Sequence, residues 1–323
     1  MSFAVMISYE IILSNKADKA VKREQIVTKS KRKFLLAVDG SDQAFEAVRY
    51  ASRLFSPEHM EVVLFHVLTQ FPEGFWDIEK EPENRYEKGI QIWEMQQNQK
   101  IRKFMEQARQ LFLDQRVPQD AVHVKIQTRE VGIARDILNE SKDNYDGVVV
   151  GRWGTSMLKD FLCGSIANKL IGRLTHTPIC IVGGTPKAGK ILVAIDASVG
   201  AKRAVDYVAD VVDSSNWEVT LFHVIRNIDQ KKIQNTKRII ESIFREATIY
   251  LETAGFNRNQ IHTKIVTDAS SRSSAIVVEA LNEGFGTIAV GRRGLSNVEE
   301  FSMGRVSNKI IQMAREMAVW IVT

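Results

Sequence analysis

Apolar positions along the chain fall into two alternating patterns. LLAV at 35–38 is a short, continuously apolar run, as expected of a strand covered on both faces. VVLFHV at 62–67, VHVKI at 122–126, GVVV at 147–150 and ICIV at 179–182 read as four further strands. Between them the apolar residues recur at helical spacing. Ala44, Ala47, Val48, Ala51 and Leu54 form one stripe, and Ile101, Phe104, Met105, Ala108, Leu111 and Phe112 form another. Further helices are expected over about 132–142 and about 165–174. Ser41 or Asp42 can cap the first helix. An alternating strand–helix order implies a parallel sheet with helices on both faces, and the stripes are its core.

The pattern then repeats. FLLAVDGSDQAFEAVRYA at 34–51 returns as ILVAIDASVGAKRAVDYVA at 191–209, and VVLFHV at 62–67 as VTLFHV at 219–224, both offset by 157. VHVKI at 122–126 returns as IHTKI at 261–265, and VVVGRWG at 148–154 as IAVGRRG at 288–294, the latter offset by 140. Four blocks in one order mark a duplicated domain, and the period is far too long for a solenoid. The shrinking offset means that the first copy holds extra residues, placed at 69–100, where Pro72, Gly74 and Pro82 break the start. The expected organisation is a leader at 1–32, a first domain at 33–183, a linker at 184–190 and a second domain at 191–323. GGTPKAGK at 183–190 is one residue short of a phosphate-binding P-loop, with Ile191 in place of Ser or Thr. A strand rather than a helix follows, so it reads as linker. Each copy ends on an apolar strand, ICIV at 179–182 and VWIV at 319–322. Unpaired edges associate, so the two copies are expected to form an intramolecular pseudo-dimer, or a homodimer.

Charge adds one feature. The formal net charge of +5 invites a nucleic-acid reading. Residues 1–33 hold eight basic and three acidic side chains, which is the entire excess; the other 290 residues balance at 36 of each. The folded part therefore offers no surplus to a phosphate backbone, which disfavours nucleic acid and leaves a solvated basic leader. No run approaches the roughly 18 apolar residues of a membrane span, and the first residues lack a signal-peptide pattern. Two cysteines, Cys163 and Cys180, are too few for a disulfide framework and read as reduced thiols of a cytoplasmic protein.

The chemistry sits in Gly151-Arg-Trp-Gly154, nine residues, then Gly164-Ser165. The first glycines end the fourth strand, and Gly164-Ser165 opens the next helix. Glycines allow close backbone approach, and a helix start offers free N–H groups to phosphate. Asp39 ends the first strand, so it shares the carboxyl edge of the sheet, where ligands bind in open α/β folds. Its carboxylate can accept hydrogen bonds from ribose hydroxyls or an adenine amine; alone it also reads as a turn or capping residue. His66 and His223, at equivalent strand ends, read as satisfied near-core histidines, without partner spacing for a metal. Ser165 has no base or triad partner, so no catalytic residue is assigned.

From about residue 34 to the end, the chain resembles the universal stress protein family. The family's ATP signature, G-x2-G-x9-G-(S/T), is matched by Gly151, Gly154, Gly164 and Ser165, beside VDGS at 38–41 and LFHV at 64–67. The resemblance implies two doubly wound, Rossmann-like α/β domains, each a five-stranded parallel sheet of order 3-2-1-4-5 flanked by helices. It implies ATP, with or without Mg2+, held by Asp39, the Val67 backbone, Gly151, Gly154, Gly164 and Ser165, in a stress-response regulator. Nucleotide would act as a conformational signal or control association with a protein partner, with hydrolysis at most slow. The second copy carries Asp196, Val224, Gly291, Gly294 and Gly304, but Arg305 follows where Ser or Thr is expected. Arg305 can pair with phosphate or fill its pocket, so this site is degenerate and ATP is expected to bind more tightly to the first copy. Two other classes stay in view: an ATP-consuming adenylyl or phosphoryl transferase, which lacks the SGGxDS loop here, and a nucleic-acid-associated protein using the leader.

Overall fold

The computed structural model describes residues 31–69, 83–154, 163–226, 230–294 and 303–323. Most of the basic leader and positions 70–82 of the inserted stretch lie outside the described residues.

The first half runs β1 (Arg32–Ala37), α1 (Asp42–Leu54), β2 (Met60–Leu68), α2 (Glu83–Asp114), β3 (Val122–Thr128), α3 (Ile133–Glu140), β4 (Gly147–Gly151), α4 (Ser165–Arg173) and β5 (Ile179–Val182). The second half repeats it as β6 (Lys190–Ala194), α5 (Val199–Val211), β7 (Glu218–Arg226), α6 (Gln230–Thr253), β8 (Ile261–Ala269), α7 (Arg272–Asn282), β9 (Thr287–Gly291), α8 (Arg305–Met313) and β10 (Ala318–Val322). Of the two capping candidates, Ser41 caps α1, its hydroxyl accepting from the Ala44 N–H. The start of α2 lies well before the Ile101 stripe. Residues 83–100 are mostly Glu, Gln, Lys, Asn and other good or neutral helix formers without proline, so the helix extends N-terminal to that stripe. α2 has 32 residues against 24 in α6, which absorbs eight of the extra positions.

Within each half the strand order is 3-2-1-4-5 and the pairing is parallel. The halves join through β5 and β10, which pair antiparallel with Ile181 opposite Val319 and Cys180 opposite Trp320. One ten-stranded sheet results, and its two faces carry separate cores that both run across the junction. α1, α2, α5 and α6 cover one face, with Phe34, Phe112, Trp217 and Trp320 in its core. α3, α4, α7 and α8 cover the other, over Leu35, Phe65, Leu192 and Ile321. Alternate strand residues thus go to opposite layers, the period-two logic of a strand buried twice.

Polar contacts pin the junction. The Trp320 indole donates to the Tyr50 hydroxyl at 3.0 Å, and Tyr50 reaches Thr287 at 3.1 Å. Arg32 spans Asp146 of the first half and Asp210 of the second, each at 2.9 Å. The sequence places the end of the leader at Arg32, yet β1 begins there. Asp146 precedes β4, whereas Gly286 holds the equivalent position before β9, and the difference has a cause. Asp146 accepts from the Lys33 N–H as well as from Arg32, whereas a side chain at Gly286 would run into the Lys187 backbone of the linker.

Candidate functional site

In each half the sheet order reverses between the first and fourth strands, β1 and β4 or β6 and β9. The helices leaving those strands go to opposite faces and open a crevice at their carboxyl ends. A cavity of about 320 Å³ lies there in the first half, lined among others by Asp39, Val67, Gly151, Gly154, Gly164 and Ser165. An equivalent cavity of about 310 Å³ in the second half is lined by Asp196, Val224, Gly291, Gly294, Gly304 and Arg305 among others. Both sets of six residues are therefore brought together, each around one opening.

Local chemistry positions them. Asp39 Oδ1 accepts from the Ser41 N–H at 3.0 Å and its hydroxyl at 2.6 Å, which fixes the carboxylate at the end of β1. Ser198 holds Asp196 the same way, through its N–H at 3.0 Å and its hydroxyl. A Cβ at Gly154 would collide with the Asp39 carboxylate, and one at Gly294 would come within 2.9 Å of Asp196. The glycines are thus required by a close approach to the acid. The Gly164 N–H donates to the Arg152 carbonyl at 2.8 Å, and the Gly304 N–H to that of Arg292 at 2.9 Å. These bonds tie each helix start to the strand-end loop. α4 and α8 then begin with N–H groups that no side chain caps.

His66 and His223 line the two cavities as well. The Nδ1 atoms lie 2.8 Å from the Val38 carbonyl and 2.6 Å from that of Ile195. Burial holds both imidazoles below their ordinary pKa, so they are neutral donors to backbone at pH 7. The cysteines are free and buried, and burial pushes both thiols up. Cys163 donates to the Arg152 carbonyl at 3.5 Å. Among the described residues no cluster of three His, Cys, Asp or Glu could hold a metal ion, and no helix is long and apolar enough to cross a membrane.

Sequence reasoning missed the role of Arg152 and Arg292, which lie between the motif glycines. Arg152 is fully buried, and its guanidinium leaves its own cavity for the other half. It donates to the carbonyls of Ile311 at 2.6 Å and Ala314 at 2.9 Å, at the end of α8. Arg292 reciprocates on Ile171 in α4. A loop arginine reads as solvated; only its recurrence at an equivalent position signalled more. Ile133, Trp153, Arg272 and Arg293 also line the cavities and carry no motif.

The sequence model of the universal stress protein family matches residues 31–182 and again 187–322. A universal stress protein of Mycolicibacterium smegmatis is 24% identical over 286 residues, 87% of this chain and 93% of that one. The universal stress protein YxiE of Bacillus subtilis is 27% identical over 165 residues, 46% of this chain and 97% of its own length. The crystal structure of a universal stress protein from Archaeoglobus fulgidus shares the fold, with a TM-score of 0.60 at 18% identity over 90% of this chain and 98% of that one. The chain belongs to the universal stress protein family, as two tandem copies of its domain.

Proposed function

We propose that this universal stress protein binds an adenine nucleotide, ATP foremost, in its first half and uses it as a regulatory signal. One observation carries the reading. Six residues named from the sequence, spread from Asp39 to Ser165, line a single cavity at the point where the sheet order reverses. In this reading the start of α4 and the Ser165 hydroxyl donate to phosphate, while Gly151 and Gly154 let the chain approach the ligand closely. The Asp39 carboxylate, already oriented by Ser41, accepts from the nucleoside, and the Val67 backbone meets the adenine edge. With no assigned base, the residues bind and orient rather than turn over. Mg2+ would arrive on the phosphates. Occupancy shifts the chain between states that differ in affinity for a protein partner or for a second copy of the chain. A cytoplasmic home belongs to the same proposal, and two free buried thiols suit it.

The test is mass spectrometry of nucleotide released from denatured protein, followed by ATP calorimetry. Gly164→Val places its Cβ about 3.1 Å from the Arg152 carbonyl and its branches over the helix start. Gly154→Ala displaces the Asp39 carboxylate. Each is expected to abolish binding at the first half in a folded protein. Wild-type ATP affinity at that half in both variants overturns the reading.

A further inference from the structure

The two cavities share a frame and differ at three positions on the rim. Where the first presents Ile133, Trp153 and Ser165, the second presents Arg272, Arg293 and Arg305. The positions correspond one to one. Ile133 and Arg272 open α3 and α7, four residues before Ile137 and Ile276, which line their cavities as well. Trp153 and Arg293 each follow the buried arginine, and Ser165 and Arg305 each open the last helix of their half.

All three guanidiniums are exposed, and none pairs with a carboxylate among the described residues. Arg32, by contrast, is clamped by two. The one acid in the second cavity, Asp196, is oriented by Ser198, and His223 is neutral. The cavity thus sets three unneutralised cations against one carboxylate, beside the positive end of α8. Its counterpart offers Asp39 alone, because the Arg152 guanidinium points to the other half. The basic lining continues into an adjoining cavity of about 670 Å³ that shares Ser198, Arg293 and Gly294 and adds Arg203, where the first half has Glu46.

We propose that the second cavity is a site for a nucleoside polyphosphate taken as the free polyanion, without a divalent cation. Three planar forks can each meet phosphate oxygens with two hydrogen bonds and neutralise the charge that Mg2+ otherwise neutralises. The adjoining basic cavity gives the phosphate chain room to extend, so longer chains bind better. The nucleoside half of this assignment rests on the reading of the first cavity, whose apolar floor it shares; the polyanion half rests on the arginines alone.

The experiment titrates the full chain and its Gly164→Val and Gly154→Ala variants by calorimetry with ATP, AMP and inorganic tripolyphosphate, in EDTA and then in excess Mg2+. With the first cavity blocked, one equivalent of ATP is expected to bind in EDTA and to weaken when Mg2+ is added. Each lost charge-assisted contact costs about tenfold, so AMP should bind on the order of a hundredfold more weakly than ATP. Arg272→Gln, Arg293→Gln and Arg305→Gln, all on exposed side chains, should each cost about tenfold and flatten the salt dependence. Equal affinity for AMP and ATP, or no response to the three arginine variants, overturns the proposal. Tripolyphosphate binding as tightly as ATP overturns its nucleoside half. A single wild-type equivalent that disappears in both glycine variants also overturns it, leaving the first-cavity reading intact. A single wild-type equivalent that survives both glycine variants and weakens in Arg305→Gln supports it and sinks the first-cavity reading instead.

Discussion

Replacing Arg152 with methionine removes one of the two buried guanidiniums that tie each half to the other while nearly conserving volume. The structure sets the scale. Arg152 is 0% exposed and makes hydrogen bonds of 2.6 and 2.9 Å to the Ile311 and Ala314 carbonyls. Bonds to a charged group contribute about 1.5–3 kcal/mol each, so the gross loss is roughly 3–6 kcal/mol. Against it stands relief from burying a cation, the same burial that lowers the Arg152 pKa. That cost is several kcal/mol for a buried ion, and methionine removes it. The expected net loss is about 2 kcal/mol, chiefly the two carbonyls left without a donor. At about 2.1 cal/mol/K of unfolding entropy per residue, a chain of 323 residues shifts by roughly 1.5 °C per kcal/mol, so the melting midpoint should fall by about 3 °C. Arg152→Lys keeps the charge but loses the fork, and should be at least as damaging. Differential scanning calorimetry of the three proteins decides it. A lysine variant melting with the wild type, or a methionine variant unchanged, would refute the claim that the fork joins the halves.

Gly286→Asp should lower the urea midpoint by the equivalent of about 1–3 kcal/mol, because the new side chain meets the Lys187 backbone; an unchanged midpoint would show that the linker yields freely. His66 and His223 are held below their ordinary pKa by burial, so their contribution is complete above the unfolded value near 6.5 and is lost as pH falls through the folded value. The melting midpoint of the wild type should therefore drop between about pH 7 and 5 more steeply than that of a His66→Gln, His223→Gln double variant, and parallel curves would contradict this. Cys163 and Cys180 should resist a thiol reagent at pH 8 until denaturant is added, since both thiols are buried and pushed up; rapid labelling of folded protein would argue otherwise.

What the sequence made readable follows from how local each signal is. Strands covered on both faces show as apolar runs, down to ICIV at 179–182, whereas the largely exposed edge strands β3 and β8 were readable only through the recurrence of VHVKI as IHTKI. The cavity residues were readable because the glycine spacing and the strand-end aspartate occur in both copies and match a known family pattern, although Asp39 and Gly154 are far apart in sequence and meet only in the fold. Three features were not readable because their cause lies far along the chain. Arg152 is separated from Ile311 by 159 residues, and nothing near it signals burial. Gly286 answers to the Lys187 backbone, a contact made only once the linker has turned back on β9. Arg272 reaches the second cavity from the start of α7, where a charged first-turn residue reads as solvent-facing. The early start of α2 went unread for a different reason: its first turns follow intrinsic propensity, and the apolar stripe in the sequence begins only at Ile101.

The β5–β10 junction has a consequence for inheritance. Two identical chains joined about the same axis would express every substitution twice, once at each cavity. A change that suited one ligand would alter both sites, and a change tolerable in only one could not persist. Here seven residues, 183–189, join the halves, so each codon is read into one side of the sheet alone. Pairing between β5 and β10 is also independent of protein concentration, because neither half can drift away on dilution. The frame can therefore stay nearly twofold while the rims drift apart, and the replacement of Ile133, Trp153 and Ser165 by three arginines on one side only is a divergence that fusion permits and a pair of identical chains does not.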